Sequence, residues 1–440
     1  MSEYRKLLER ESVRFALPPG ALDRLLERQQ RKARNRRVTA SATAFLVAGV
    51  GIWLAVIAFR GAPRPTLPKR ITPANVSRLQ LLWSTSVGAP SSAPVISDGA
   101  VYLTAGEPGG SVKLYAFPIS CSSVESCRPS WYGQLGPASR LTRPAVAGGT
   151  IFATADGLYA FSTRCAVDGG RCDPIWTARS TPSAVYSSPV VADGVVYVTS
   201  SDGTLEAYAA PRRGETINPS WTGRGGAGLN PPAVSSGNVY TASHPEGLSA
   251  FPVGCQTDNG TCEPLWRGNF ATSDAGGVAA TQDTVYATGA RLYAFGRDCG
   301  LPQCKPVWFS QGIRAVRLTA PVIWEREVYI GGDRLYAFAV DCKSDACPPV
   351  WMGPQQPDPS LPVPRAWSEP VSRSNMVFSS TDRPYAFAAA CGEGGSVCAP
   401  LWVGTPLTGV ASTAVGVSDR VVVVSASDGS IRAFAVAAGS

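Results

Sequence analysis

The sequence predicts an all-β fold: an eight-bladed β-propeller of four-stranded antiparallel blades, preceded by a single transmembrane helix and a short cytoplasmic helical segment. Three observations predict it. Eight tryptophans (Trp83, Trp131, Trp176, Trp221, Trp266, Trp308, Trp351 and Trp402) recur at steps of 42 to 51 residues, and such a period in units built only of strands marks a propeller. A four-residue phrase, most often Leu-Tyr-Ala-Phe, returns eight times. Residues 38–59 carry no charged side chain.

The elements follow in chain order. Residues 1–37 form a basic segment, helical over 20–37, where Leu22, Leu25 and Leu26 share one side downstream of Pro18-Pro19-Gly20. Residues 38–59 are 22 uncharged positions, long enough to cross a hydrocarbon core as a helix. The flanking charges Arg31, Lys32, Arg34, Arg36 and Arg37 against Arg60, Arg64, Lys69 and Arg70 orient it only weakly. The rival reading, a cleaved signal peptide, is disfavoured by the 37-residue leader and the lack of an Ala-x-Ala site. Residues 60–72 read as a tether rich in Pro and Arg, and 73–440 as the propeller.

One unit shows the plan. Pro144 to Gly149, Ile151 to Thr154 and Leu158 to Phe161 are short runs of β-branched, aromatic and small residues bounded by Gly or Asp, the pattern of strands joined by hairpins. The Trp176 segment supplies a fourth strand. Asp156-Gly157, Asp202-Gly203 and Asp428-Gly429 fall between second and third strands, where positive φ is favoured. The tryptophans are offset by one unit: Trp83 precedes the first complete blade, and the eighth unit stops at Ser440 without one. A strand at 79–88 is therefore expected to complete the last blade and close the ring, which leaves no long open edge. The tryptophans are expected to fill the wedges between blades.

Six units carry one cysteine pair each: Cys121/Cys127, Cys165/Cys172, Cys255/Cys262, Cys299/Cys304, Cys342/Cys347 and Cys391/Cys398. The first member lies four residues after the Phe of the third strand. The third unit lacks both members at once, with Arg212 and Ile217 in their places. Joint loss is the behaviour of bonded partners, so each pair is expected to staple the hairpin between third and fourth strands. Zinc would need two pairs converging, whereas these lie a blade apart, so no metal is expected. Disulfides place the propeller in an oxidising compartment. That fixes the orientation: amino terminus cytoplasmic, propeller outside the cytoplasm, in the bacterial cell envelope.

The formal charge of +8 does not describe the propeller. With the eleven basic and five acidic residues of 1–37 and the four basic residues of 60–70 set aside, 25 basic and 27 acidic residues remain. A nucleic-acid partner, which needs a basic face on the domain, is therefore not expected; the basic segments suit a membrane surface. The lone histidine, His244, sits among the turn residues Pro245, Glu246 and Gly247 and has no partner that would make it a general base. No Gly-x-Ser-x-Gly or phosphate-binding loop occurs.

The phrase Val-Val-Tyr-Val-Thr-Ser-Ser-Asp-Gly-Thr-Leu-Glu-Ala-Tyr at 195–208 and the lead-in from Asn75 to Trp83 resemble the pyrroloquinoline-quinone-type repeat over residues 71–440. The resemblance implies a propeller of a superfamily that holds both quinone-dependent dehydrogenases and non-catalytic proteins, including one that assists assembly of outer-membrane barrels and the extracellular domains of single-pass sensors. The adjacent-cysteine pair of the dehydrogenases has no counterpart, since no Cys-Cys dipeptide exists here. Their calcium and catalytic positions are not matched either, so no cofactor is expected. Candidate recognition residues lie just before the first strand of each blade, at the mouth of the central channel: Arg140, Arg143, Tyr186, Arg317, Trp367 and Glu369, of the arginine and aromatic types that anchor binding surfaces. The expected function is a membrane-anchored module that binds or scaffolds protein, peptide or glycan without catalysis. The alternatives are a propeller-channel oxidoreductase or the ectodomain of a transmembrane sensor.

Overall fold

Short strands ending in Gly, Asp or Asn leave the chain little choice but to turn back on itself, and each repeat does so three times. The computed structural model describes residues 68–437 except 108, 122–123, 125, 166–168, 179–184, 210–215, 226–228, 244–245, 256–259, 271–275, 301, 314–316, 356–365 and 408–412. The expected cytoplasmic segment 1–37, the span 38–59, most of the tether and His244 lie outside the described residues. Among the described residues no helix is long and apolar enough to cross a membrane.

Strands fall into eight sheets. In blade 2 the order from channel to rim is Ala145–Ala147, Thr150–Thr154, Leu158–Ser162 and Trp176–Ala178, here called strands A to D. All three pairings are antiparallel. Blade 8 takes its D strand from the front of the domain: Gln80–Ser86 pairs antiparallel with Ser430–Ala435. The A–B turns hold the left-handed residues, Asp98 (φ 50°) before Gly99 (77°) and Asp193 (49°) before Gly194 (77°). Of the three Asp-Gly turns expected to need positive φ, Gly203 and Gly429 have it, at 89° and 82°. Gly157 does not. There Asp156 Oδ1 closes the turn instead by accepting a 2.6 Å bond from the Tyr159 hydroxyl.

The rim contains something more than four strands per blade. Six sheets gain a short fifth strand, and each comes from the next blade's C–D loop. Arg171–Cys172, Thr216–Ile217, Thr261–Cys262, Gln303–Cys304, Ala346–Cys347 and Ser396–Val397 each pair parallel with the D strand of the preceding blade. All six expected disulfides form, with Cα–Cα distances from 5.5 to 6.3 Å. Each therefore stiffens the loop that reaches across to the neighbour. Blade 8 is covered in the same sense by the Cys121–Cys127 loop: Ser84 N–H donates to Val124 O at 2.7 Å, and Cys127 N–H donates to Ser84 O at 3.3 Å. Blade 7 is the exception. The segment preceding the next D strand is here a 3-10 turn, Val76–Arg78, and Val403 on the blade 7 rim is left 44% exposed.

The second member of every cysteine pair is a core residue and no part of a binding surface. Cys127, Cys172, Cys262, Cys304, Cys347 and Cys398 are all buried, none more than 4% exposed. Cys398 differs from the four cysteines that end a fifth strand. It lies one residue beyond Ser396–Val397, and its N–H donates to Met352 O at 2.8 Å. Both strand residues ahead of it are exposed, whereas Cys398 is buried in the core with Trp351 and Phe387. Its bond to Cys391 is thus a buried structural staple.

The tryptophans work between blades. Trp131 lies between Tyr102 of its own blade and Phe161 of the next, with ring centroids 6.2 Å away on both sides. Trp266 stands likewise between Tyr240 and Phe295, and Trp351 between Tyr329 and Phe387. Several of the indoles also donate across the junction, always to the carbonyl two residues beyond the neighbouring Phe: Trp83 to Ile119 (2.9 Å), Trp221 to Val253 (3.2 Å), Trp266 to Arg297 (2.8 Å) and Trp351 to Ala389 (3.0 Å). A buried indole N–H left unbonded is costly, so this repeated bond complements the ring contacts. The Phe edge also explains Trp-x-Gly: a Cβ on Gly133, Gly223 or Gly268 would come within 2.5, 2.7 or 2.8 Å of the facing Phe ring.

Nearest the channel, hydroxyls join the blades. At the end of strand B, Thr104, Thr154, Thr199, Thr288 and Ser425 donate to the carbonyls of Thr142, Ser187, Asn230, Thr319 and Ser92, each on the next blade, at 2.7 to 2.9 Å. These bonds set a common reference position before each A strand, occupied by Ser92, Thr142, Ser187, Asn230, Thr319 and, by its bonds to Ser380, Ser368.

Candidate functional site

The six candidate residues divide cleanly once placed on that reference position. Thr142, Ser187, Thr319 and Ser368 mark it in blades 2, 3, 6 and 7. Tyr186 and Trp367 are the residues immediately before it, and each is 1% exposed. They are not at the channel mouth. Tyr186 joins the core shared by blades 2 and 3, and Trp367 stacks on Tyr385 at 4.9 Å and Phe387 at 5.8 Å. The physical reason is the alternation of an extended chain: Leu318 in the same register is 7% exposed, and Leu141 is packed at the edge of the core.

The other four are exposed or partly exposed. Arg140 and Arg317 are two residues before the reference position, Arg143 and Glu369 one residue after it, and their heads reach solvent in the funnel. Arg143 Nη1 lies 3.6 Å from Glu369 Oε1. These belong to blades 2 and 7, which are not neighbours, so the ion pair bridges the channel. The Arg143 backbone is fixed by donation of its N–H to Ser188 Oγ at 2.9 Å. Enclosure by the funnel walls pushes the Glu369 carboxyl above its ordinary range, and the Arg143 charge partly opposes that. Arg140 is held below the usual guanidinium range, first by loss of hydration and then by repulsion from Arg317.

Chemically this is a charged, solvent-exposed set of side chains on a ring of joined blades. It can hold and orient a polar group. Among the described residues no group of three or more His, Cys, Asp or Glu could hold a metal ion. A separate polar groove of about 680 Å³ opens at the opposite end of strand A, lined by Asp98, Gly148, Gly149, Thr163 and Arg164. Sequence reading did not single out this groove, since its wall is made of A–B turns that look like any others. Asn75 is engaged structurally: its Oδ1 accepts from Thr72 N–H at 2.8 Å, and its Nδ2 donates to Arg70 O at 2.9 Å.

Comparison with known proteins agrees with this architecture. A family model described as the outer membrane protein assembly factor BamB matches residues 126–224. No curated protein matches the chain. Among solved structures, the computationally designed Ika8 protein is 12% identical with a TM-score of 0.57, covering 81% of this chain and 99% of that one. BamB from Moraxella catarrhalis is 13% identical with a TM-score of 0.55, covering 81% and 97%. The chain thus folds as a propeller, is similar to BamB in sequence within residues 126–224 and in fold over most of its length, and carries six disulfides that suit an extracellular or periplasmic setting.

Proposed function

We propose that this protein is an envelope-anchored, non-catalytic binding module. Residues 38–59 hold it in the membrane, residues 1–37 remain in the cytoplasm, and the propeller displays a recognition mouth to a protein, peptide or glycan outside. The observation that carries the reading is the Arg143–Glu369 ion pair, which joins the non-adjacent blades 2 and 7, with Arg140 and Arg317 exposed at matching places before strand A of blades 2 and 6. Inter-blade hydroxyl bonds to Thr142 and Thr319 hold the backbone in blades 2 and 6, and the bonds of Ser368 to Ser379 and Ser380 hold it in blade 7. Sites on rigid elements favour binding because little ordering cost falls due on association. Likeness to BamB, a protein described as an assembly factor, supports a scaffolding role over a catalytic one.

The test is photo-crosslinking in the native envelope from a probe at Ser139, an exposed position beside Arg140. The expected result is a discrete adduct that depends on the mouth. Adducts only from rim positions would move the site elsewhere. A new absorbance band with substrate turnover on adding quinone and calcium would replace the reading by an enzyme. Release of the full chain by alkaline carbonate without detergent would remove the anchor.

A further inference from the structure

The A–B turns, at the end of strand A away from the mouth, follow one plan, and blade 2 departs from it. In five blades the first turn residue is left-handed and carries a side chain: Asp98, Asp193, Ser236, Glu325 and Ser374, with φ between 49° and 52°. Blade 2 has Gly148 there, at φ 57°. A Cβ on Gly148 would meet no atom within 4 Å, and one on Gly149 only Thr163 Oγ1 at 3.8 Å. Neither the backbone nor the packing therefore demands a bare first position. Elsewhere side chains tie neighbouring turns together. Ser235 Oγ donates to Thr281 O at 2.8 Å between blades 4 and 5, and Arg373 Nε to Asp419 Oδ1 at 2.6 Å between blades 7 and 8. Among the described residues no such tie joins blades 1 and 2, and the space stays open as the groove of about 680 Å³, a volume in the range of small-molecule sites. Its walls carry opposite charges. Asp98 comes from the blade 1 turn, and Arg164 from blade 2, three residues past the Phe that ends strand C's repeated phrase. The other seven units carry Ser, Pro, Gly, Asp or Ala at that place. Both groups are exposed, and no ion pair or side-chain hydrogen bond joins either to another described residue. Thr163 Oγ1, in the same lining, donates to Gly149 O at 3.1 Å and so keeps only acceptor capacity.

We propose that this groove is a second binding site, for a small zwitterion: the paired ammonium and carboxylate of a free amino acid or a short peptide. Asp98, with the Thr163 oxygen, takes the ammonium, and the Arg164 fork takes the carboxylate through paired N–H donors. Selectivity follows from the pairing. A simple anion is repelled by Asp98 and a simple cation by Arg164, whereas a zwitterion is matched on both walls. The bare Gly148–Gly149 turn provides the room. The groove lies at the other end of strand A from Arg143 and Glu369, so it does not depend on the reading of the mouth.

The experiment is calorimetric titration of the detergent-solubilised full chain at low ionic strength. Three probes are used: L-alanine, tri-L-alanine, and tri-L-alanine acetylated and amidated at its ends. One saturable site per chain is expected for at least one of the first two, and none for the blocked peptide. Alanine binding as tight as the tripeptide's or tighter assigns the groove to free amino acids, and tighter tripeptide binding assigns it to peptides. Asp98→Asn and Arg164→Gln should each weaken binding at least about fivefold. Gly148→Glu gives blade 2 the residue type that blade 6 holds at φ 52° as Glu325, so it should leave the fold intact and abolish binding by filling the groove. Arg326→Ala, which removes a guanidinium paired with Asp341 at 3.0 Å beside the blade 6 turn, should change nothing. Near-ultraviolet circular dichroism checks that each variant is folded. No saturable binding of either zwitterion, or equal binding of the blocked peptide, overturns the site. So does wild-type affinity in both charge variants or in a folded Gly148→Glu chain.

Discussion

The rim and the channel of this ring join the same eight blades by different means. On the rim the same contacts recur from blade to blade: a Trp between a Tyr and the next Phe at Trp131, Trp221, Trp266 and Trp351, an indole bond to a fixed carbonyl, a two-residue strand lent backwards and, in most blades, a disulfide behind it. At the channel the backbone contacts repeat as well, through the hydroxyl bonds. The side chains that enter the lumen do not: Arg140, Arg143, Arg317 and Glu369 have no counterparts of like charge in most other blades. Repetition marks what the ring needs in order to stand, and departure from it marks where chemistry specific to this protein lies.

The comparison can be broken at several depths. Trp351 is fully buried and bonded to Ala389, so Trp351→Ala should cost about 3–5 kcal/mol in denaturant unfolding. Losing less than about 1 kcal/mol would show that the inter-blade wedge is not what holds the rim. Replacing Cys342 and Cys347 together by Ala opens a loop of sequence separation 5 and should cost about 2 kcal/mol. The same unfolding curve measures it, and thiol titration of the unreduced wild type should find no free group. Thr288→Val removes a buried hydroxyl and leaves the Thr319 carbonyl without its 2.9 Å donor, for a cost of about 1 kcal/mol. Arg143→Ala breaks a pair whose members are 37% and 47% exposed, and stability should change by less than about 1 kcal/mol. A large loss there would make this ion pair a structural tie rather than part of a binding mouth.

A pH series sharpens the rim side. Burial raises the Glu327 carboxyl above the ordinary value of 4.5, against the bonds it accepts from Tyr329 and Trp351. The folded state thus holds this proton more tightly than the unfolded chain does. Its contribution is greatest at low pH and is lost as pH rises from the ordinary glutamate range through the folded value. Glu327→Gln should flatten that part of the profile between pH 4.5 and neutrality. On the alkaline side Tyr286, pushed up to about 12 mainly by burial, should make stability fall as pH rises from 10 toward 12, and Tyr286→Phe should reduce the slope.

Much of the ring was legible because each unit must solve the same wedge problem with the same residues. The Trp period, the Leu-Tyr-Ala-Phe phrase and the jointly missing cysteines of blade 3 each report a contact made inside one unit or with its neighbour. The fifth strand was not legible. Two residues such as Thr216–Ile217 carry no periodicity, and their partners lie a blade away. Tyr186 and Trp367 were placed on the wrong side for a related reason: position before strand A says which loop they occupy, but a shift of one residue reverses where an extended side chain points. Alignment on Ser or Thr of the next position would have exposed a column of Leu141, Tyr186, Leu318 and Trp367, an apolar register that belongs to the core. The same alignment separates the charged column beside it.

Because blades 2 to 7 each lend a short strand to the one before, the ring has a direction. A chain emerging from its amino-terminal side completes six of these sheets only after the following unit has appeared, so a half-made propeller trails one raw margin. The strand from Gln80 to Ser86 is made first among the described strands and must wait for Ser430–Ala435, 355 positions later at the Gln80–Ala435 match. The longest wait in the molecule therefore falls on the seam that shuts it, and whatever attends this chain during its synthesis has that one ribbon to shield.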